Sequence, residues 1–140
     1  MFPKILVAND GSEHARRALT TAVGLAAGWG SQLHMICVEE HLPHYAATVG
    51  EVLEEKSEED SYFGALAKEA TAEAAAAGVD LQVVITPGHE VETVVKYAAD
   101  NAFDLLVIGF MGHSRVLGRI MGGSASNLTR LSPCSVLVVK

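Results

Sequence analysis

The chain has 140 residues, of which 49% are hydrophobic and 19% charged. It therefore has the size of one domain and enough apolar side chains to close a core, which excludes a disordered chain. The formal net charge is −7 at pH 7, and no basic patch stands out, so we expect neither a duplex nucleic acid nor a membrane as a partner.

The first half of the chain predicts two strands, each followed by a helix. Residues 4–8 form a short apolar run that predicts a buried strand. From residue 13 to residue 26 small and apolar side chains recur at helical spacing, and Ser12 is placed to cap that helix. Residues 32–38 predict the second strand, and an alanine- and glutamate-rich segment at 51–77 predicts a long helix.

The second half continues the same alternation. Residues 80–86, 104–109 and 135–140 predict three further strands, and residues 89–101 and 124–132 predict the helices between them. Strands that alternate with helices are typical of an α/β domain with a mostly parallel sheet. Since no linker or change of composition divides the chain, we predict a single domain over residues 1–140.

Cysteine usage and the N-terminal sequence predict a cytoplasmic protein. Cys37 and Cys134 belong to no CxxC pattern, and isolated thiols are typical of a reducing compartment. The apolar run at 4–8 is too short for a signal peptide or a membrane span. His41 and His44 have the HxxH spacing of some metal sites, but no third ligand follows in register, so we predict no metal site built from side chains.

A glycine-rich stretch, GFMGHSRVLGRIMGGSAS, follows the fourth predicted strand. It lacks the lysine of a Walker A loop, the first strand is not followed by the GxGxxG of a dinucleotide site, and GGSAS is not the GxSxG of a nucleophile elbow. The pattern present is Gly109-x-x-Gly112, nine residues, then Gly122-Gly123-Ser124. Glycines before a helix expose backbone amides, which favours an anion such as phosphate, although an ordinary long loop has the same composition.

Three separate stretches, KILVANDGSEHARRAL, GFMGHSRVLGRIMGG and SPCSVLVVK, together resemble the universal stress protein family over essentially the whole chain. The glycine spacing is similar to that of the family's nucleotide-binding branch. The resemblance implies an open, Rossmann-like, five-stranded parallel sheet in the order 3-2-1-4-5 with helices on both faces. In that order the direction in which strands are added to the sheet reverses between the first and the fourth strand. The loops that follow these two strands would therefore meet at one crevice.

The resemblance also implies an ATP site, in which Mg²⁺ would be carried on the phosphates. The implied contacts run from adenosine to the phosphates, in three groups. Ala8, Asn9, Asp10 and the backbone of Val38 face adenosine; Gly109, Gly112 and His113 line the ribose and phosphate turn; Gly122, Gly123 and Ser124 offer amides to the phosphates.

The chain departs from the family pattern at two places. Ala8 and Asn9 stand where a proline and a small hydroxyl residue are common, and Gly123 stands where serine or threonine is usual. One phosphate-binding hydroxyl is therefore missing, although Ser124 or Ser126 could replace it and a backbone amide needs no side chain.

We predict a regulatory, nucleotide-binding protein that acts in a stress response, with no catalytic residues. The last strand has an exposed edge, and the resemblance implies a homodimer formed through it. Three alternatives remain open at this point: a slow ATPase, for which Asp10 and His113 are the only candidate bases; a dimeric interaction module that binds no nucleotide; and, more remotely, a flavin-binding protein.

Overall fold

The computed structural model describes residues 1–40, 49–112 and 121–140. Five strands alternate with four helices in this part of the chain. In chain order they are β1 Lys4–Ala8, α1 Glu13–Trp29, β2 Gln32–Glu39, α2 Val49–Ala76, β3 Leu81–Pro87, α3 Glu90–Asp100, β4 Leu105–Gly109, α4 Gly123–Leu131 and β5 Ser135–Val139.

The strands form one parallel sheet in the order β3-β2-β1-β4-β5, which confirms the predicted fold. Ile5 of β1 lies opposite Leu33 of β2 on one side and Leu105 of β4 on the other. After β1 the chain therefore adds β2 and β3 on one side of that strand, and then adds β4 and β5 on its other side. The loops that follow these two strands consequently lie side by side at the carboxyl edge of the sheet, where open α/β sheets bind ligands.

Two hydrophobic clusters cover the two faces of the sheet. Alternate residues of β1 divide between them, with Ile5 and Val7 in one cluster and Leu6 and Ala8 in the other. Helices α1 and α2 pack on the first face, and α3 and α4 on the second. Burial on both faces explains the uninterrupted apolar runs of β1 and β4.

Capping residues fix the ends of α1 and the start of α4. Ser12 caps α1 as predicted, because its hydroxyl accepts a hydrogen bond from the Ala15 N–H. Gly30 ends α1 in the left-handed conformation, with φ of 67°. Gly123 is already inside α4, one residue earlier than the predicted start, because Gly122 takes the extended N-cap conformation. No helix in the described ranges is both long enough and apolar enough to cross a membrane.

Candidate functional site

A cleft of about 330 Å³ opens at the carboxyl edge of the sheet, between the loops that follow β1 and β4. Eight of the ten residues predicted for the site line it: Ala8, Asp10, Val38, Gly109, Gly112, Gly122, Gly123 and Ser124. Asn9 does not line this cleft, and His113 lies outside the described residues. The topology thus gathers residues from both ends of the chain.

Two wider grooves lie elsewhere on the described surface. One, of about 530 Å³, runs between α1 and α2, and the other, of about 610 Å³, lies beside the amino ends of β2 and β3. Neither groove is lined by a described residue of the loop that follows β4. Because ligands of open parallel sheets bind at the carboxyl ends of the strands, the smaller cleft is the better candidate.

The loop between β1 and α1 is closed by its own side chains. The Asn9 carboxamide oxygen accepts a hydrogen bond of 2.9 Å from the Gly11 N–H, and the Asp10 carboxylate accepts one of 2.9 Å from the Ser12 N–H. Asn9 is only 3% exposed, and its NH₂ group donates to the sulfur of Met35 in the core. The Asn9 side chain is thus used inside the fold, and any contact of this residue with adenosine would be left to its backbone.

Tyr62 of α2 covers this loop and is a site residue that the sequence did not suggest. Its hydroxyl donates a hydrogen bond of 2.8 Å to the backbone oxygen of Asp10. Gly11 lies directly beneath the ring: it has φ of 82°, and a Cβ there would lie 1.9 Å from the Tyr62 oxygen. The one available signal was the YF pair, which interrupts an otherwise alanine- and glutamate-rich helix.

The loop that leaves β4 is held by its neighbours. A Cβ on Gly109 would lie 2.7 Å from the backbone carbon of His14, so glycine is required there for packing against α1. The Met111 N–H donates to Nδ1 of His14 at 3.1 Å, and the Gly122 N–H donates to the Phe110 oxygen at 3.0 Å. The Gly122 amide, predicted to face a phosphate, is therefore engaged within the loop.

The first turn of α4 lines the cleft with backbone donors that no described residue accepts. The helical bonding of α4 starts with the Ser126 N–H, which donates to the Gly122 oxygen at 2.9 Å. The amides of Gly123, Ser124 and Ala125 have no acceptor within the described ranges, and all three residues line the cleft. These amides and the helix dipole together make an anion-binding end.

Four carboxylates line the same cleft: Asp10, Glu40, Glu59 and Glu90. Among the lining residues in the described ranges there is no lysine or arginine. Glu40 accepts a hydrogen bond of 3.1 Å from the Glu90 N–H, so it caps α3, whose own N-cap residue makes no side-chain bond. The cleft thus has an acidic part beside β2 and α3 and an amide-lined part at α4.

Two titratable side chains near the cleft, Cys37 and Tyr62, are not activated as nucleophiles. Burial, with smaller contributions from the carboxylates of Asp10 and Glu39, raises the pKa of the Cys37 thiol to about 12. Burial also raises the pKa of the Tyr62 phenol, and Asp10 adds to that effect. Both groups therefore stay protonated at neutral pH, and thiolate chemistry is excluded for Cys37.

No group of three or more potential metal ligands gathers within residues 1–40, 49–112 and 121–140. The HxxH pair of His41 and His44 falls outside these ranges. The described site can therefore bind an anionic or hydrogen-bonding ligand, but it contains no side-chain cluster that could hold a cation by itself.

Comparisons with known proteins agree with this arrangement. The chain is 32% identical over 139 residues to a universal stress protein of Synechocystis, with 98% of this chain and 42% of that protein covered. The chain thus spans less than half of that relative's length. Among solved structures, the universal stress protein UspA of Lactobacillus plantarum superposes with a TM-score of 0.89 at 25% identity, with 99% and 98% of the two chains covered.

A second solved structure is of a universal stress protein in complex with cAMP. It has a TM-score of 0.77 and 28% identity, and the match covers 99% of this chain and 97% of that one. A profile of the universal stress protein family matches residues 1–140. The chain therefore belongs to the universal stress protein family.

Proposed function

We propose that this protein binds an adenine nucleotide in the cleft between the loops that follow β1 and β4, and that this nucleotide is ATP. The observation that carries the proposal is the row of three amides at Gly123, Ser124 and Ala125, which open on the cleft without acceptors in the described chain. A helix N-terminus of this kind favours phosphate. The similar protein in complex with cAMP supports a nucleotide as the ligand class.

The two parts of the cleft suggest how the nucleotide lies. The phosphates would take the amide-lined part at α4, where the helix dipole favours negative charge. The base would lie toward Val38 at the end of β2, which lines the opposite part of the cleft. This direction also keeps the phosphates away from Glu40 and Glu90, whose carboxylates would repel them.

Mg²⁺ fits this site only as a companion of the nucleotide. The described residues offer no ligand cluster for it, so phosphate oxygens would supply the coordination, and the cation would offset the charge of the neighbouring carboxylates. Asp10 lines the cleft and is the carboxylate closest to Gly112, since its Oδ2 lies 2.9 Å from where a Cβ of that residue would stand.

The proposed role is regulatory binding, with hydrolysis slow at most. Phosphoryl transfer needs a cationic clamp and an oriented water, and no lysine or arginine lines the cleft in the described ranges. Asp10, one candidate base, already accepts a hydrogen bond from the Ser12 N–H. We expect bound ATP to stay intact for hours, which ion-exchange chromatography of the released nucleotide would check.

A second function, an interaction module that binds no nucleotide, is favoured by the four carboxylates of the cleft and by glycine at position 123. Purified protein should then release no nucleotide when it is denatured. Millimolar ATP should also leave its melting temperature unchanged, since a ligand that binds the native state raises it.

Position 123 offers the sharpest test between the two functions. Gly123 is the first residue of α4, and a Cβ there meets nothing within 4 Å. Gly123→Pro removes one amide at a position that proline tolerates well, while Gly123→Ala keeps the amide and is the matched control. We expect proline to weaken ATP binding by roughly 10- to 100-fold, the value of a hydrogen bond to a charged group, as measured by calorimetry.

Equal ATP affinity in the proline and alanine variants would place the ligand elsewhere.

Gly123→Ser would supply the hydroxyl that the family pattern has at this position. We expect it to strengthen ATP binding by about 3- to 10-fold through one added hydrogen bond, and unchanged affinity would show that the hydroxyl has no part in this protein's site.

We also propose a homodimer formed through β5. This strand pairs with β4 on one side only within the described sheet, and its Leu137 is 36% exposed. Leu137→Lys should give a monomer in light scattering after gel filtration, whereas Ile85→Lys, on the opposite edge strand β3, should leave the dimer intact. A dimer in both variants would contradict an interface at β5.

A further inference from the structure

His14 links α1 to the residues that follow β4, although it is not among the residues that line the cleft. It lies in the first turn of α1, and its Nδ1 accepts the Met111 N–H at 3.1 Å, across 97 positions of sequence. The backbone of His14 also packs against Gly109, and its ring lies 6.3 Å from that of Phe110. One residue of α1 therefore contacts three consecutive residues at the end of β4.

This hydrogen bond exists only for a neutral imidazole. The donor is a backbone N–H, so Nδ1 must carry a lone pair, and the proton of neutral His14 must be on Nε2. Protonation would put a second N–H opposite that of Met111, and the bond would be replaced by two facing donors. Histidine is the side-chain type whose charge changes between pH 5 and 8.

The bond matters because residues 110–112 carry both sides of the anion site. Phe110 accepts the Gly122 N–H at 3.0 Å, which fixes the N-cap of α4 and with it the amides of Gly123, Ser124 and Ala125. Gly112 lies against the Asp10 carboxylate on the other side of the cleft. A shift of Met111 would therefore be felt at α4 and at the loop that follows β1.

We propose that His14 is a positioning residue of the nucleotide site, and that protonation of its imidazole loosens residues 110–112 and weakens nucleotide binding. The inference rests on the proposed nucleotide site. A positive charge could also attract phosphate, but Nδ1 faces Met111, and the side chain does not line the cleft. The lost hydrogen bond therefore outweighs the added charge.

The charged groups on the described elements around His14 come from α1, from the loop after β1 and from the residue after β5. They are Glu13, Arg16 and Arg17 on α1, of which Glu13 and Arg17 form an ion pair of 2.6 Å; Asp10; and Lys140, whose ammonium lies 5.1 Å from the centre of the Phe110 ring. As classes, carboxylates, ammonium and guanidinium groups keep their charge between pH 5.5 and 7.5. The pH dependence should therefore depend on the imidazole.

The test compares the wild type with His14→Asn and His14→Leu. Asparagine places an acceptor oxygen on Cγ, where histidine has Nδ1, and this oxygen does not titrate; leucine removes the acceptor. We expect the dissociation constant for ATP to rise from pH 7.5 to pH 5.5 by about 3- to 10-fold more in the wild type than in His14→Asn, as the loss of one hydrogen bond implies. His14→Leu should bind more weakly at both pH values.

The asparagine variant also removes other sources of pH dependence from the comparison. The pH response of the ATP phosphates, and any effect at His89, whose Nδ1 lies 3.8 Å from Oε1 of the cleft residue Glu40, is shared by the wild type and His14→Asn. Equal pH dependence of the wild type and His14→Asn would overturn the proposal. Tighter ATP binding at pH 5.5 in the wild type alone would also overturn it, because the positive charge of His14 would then outweigh the lost hydrogen bond to Met111.

A measurement without ligand separates this inference from the proposed function. The Met111 amide, followed by NMR hydrogen exchange, should be protected at pH 7.5 and lose protection at pH 5.5 in the wild type, but keep it at both pH values in His14→Asn. A Met111 amide with no protection at pH 7.5 would overturn the role of His14 whatever ATP does. Protection that follows this pattern without any ATP binding would contradict the proposed function and leave His14 as the pH-dependent holder of the loop.

Discussion

The two loops at the carboxyl edge of the sheet are built in opposite ways. The loop after β1 is closed by the side chains of its own residues, Asn9 and Asp10, and is covered by Tyr62. The described residues that follow β4 are held from outside, by the imidazole of His14 at Met111 and by packing of Gly109 on α1. The first loop is thus closed largely by its own side chains, while Gly109 and Met111 depend on α1.

This difference explains which groups remain for a ligand. Polar side chains that close their own loop have used most of their hydrogen-bonding capacity there. Glycines have no side chain to close a loop, so Gly109 and Met111 rely on contacts with α1, and the amides at the start of α4 have no acceptor among the described residues. Ligand binding and pH dependence should therefore depend on the second loop, and local stability on the first.

Gly109→Ala should have the largest effect, because it disturbs the support of the second loop directly. The new Cβ would lie 2.7 and 2.8 Å from backbone atoms of His14 and Ala15, which cannot move aside cheaply. We expect a loss of roughly 2–3 kcal/mol in the free energy of unfolding, measured by urea denaturation, together with weaker ATP binding. Gly123→Ala, in open space, is the control and should cost nothing measurable.

Gly11→Ala tests the first loop in the same way. Alanine at φ of 82° is strained, and its Cβ meets the flexible end of the Tyr62 side chain rather than backbone. We expect a loss of about 1–2 kcal/mol, the cost of a left-handed conformation. A loss as large as that of Gly109→Ala would contradict the view that the first loop can adjust by moving one side chain.

Tyr62→Phe removes the hydroxyl that donates to the Asp10 oxygen and keeps the ring beside Gly11. We expect the free energy of unfolding to fall by about 1 kcal/mol or less, as for a single neutral hydrogen bond. ATP affinity should stay nearly unchanged, because the first loop retains the bonds made by Asn9 and Asp10. A large loss of affinity would instead make Tyr62 a ligand contact.

The smallest effect concerns the reactivity of Cys37, which is fully buried in the face covered by α1 and α2. In the folded protein we expect a thiol reagent at pH 8 to modify Cys134, which is half-buried, much faster than Cys37. Gly11→Ala should speed the modification of Cys37, since the loop after β1 lies next to it, and His14→Leu should not. Equal acceleration by both variants would mean that the two loops open together.

Much of the fold could be predicted because it rests on local chemistry and on alternation. The apolar runs of β1 and β4, the capping hydroxyl of Ser12 and the spacing of small residues along α1 are each readable over a few positions. The order of the strands came from the family resemblance and is confirmed by the sheet. Eight of the ten site residues that the same resemblance implied line one cleft.

The sequence by itself determined the elements and the place where glycines replace side chains. Only the tertiary structure decided what each group contacts: that the Asn9 amide turns to Met35, that the Gly122 amide is taken by Phe110, and that His14 accepts a bond from Met111. The physical reason is distance along the chain. A helix or strand is set by neighbours a few residues away, whereas these bonds join partners brought together only when parallel strands pair and helices pack on them.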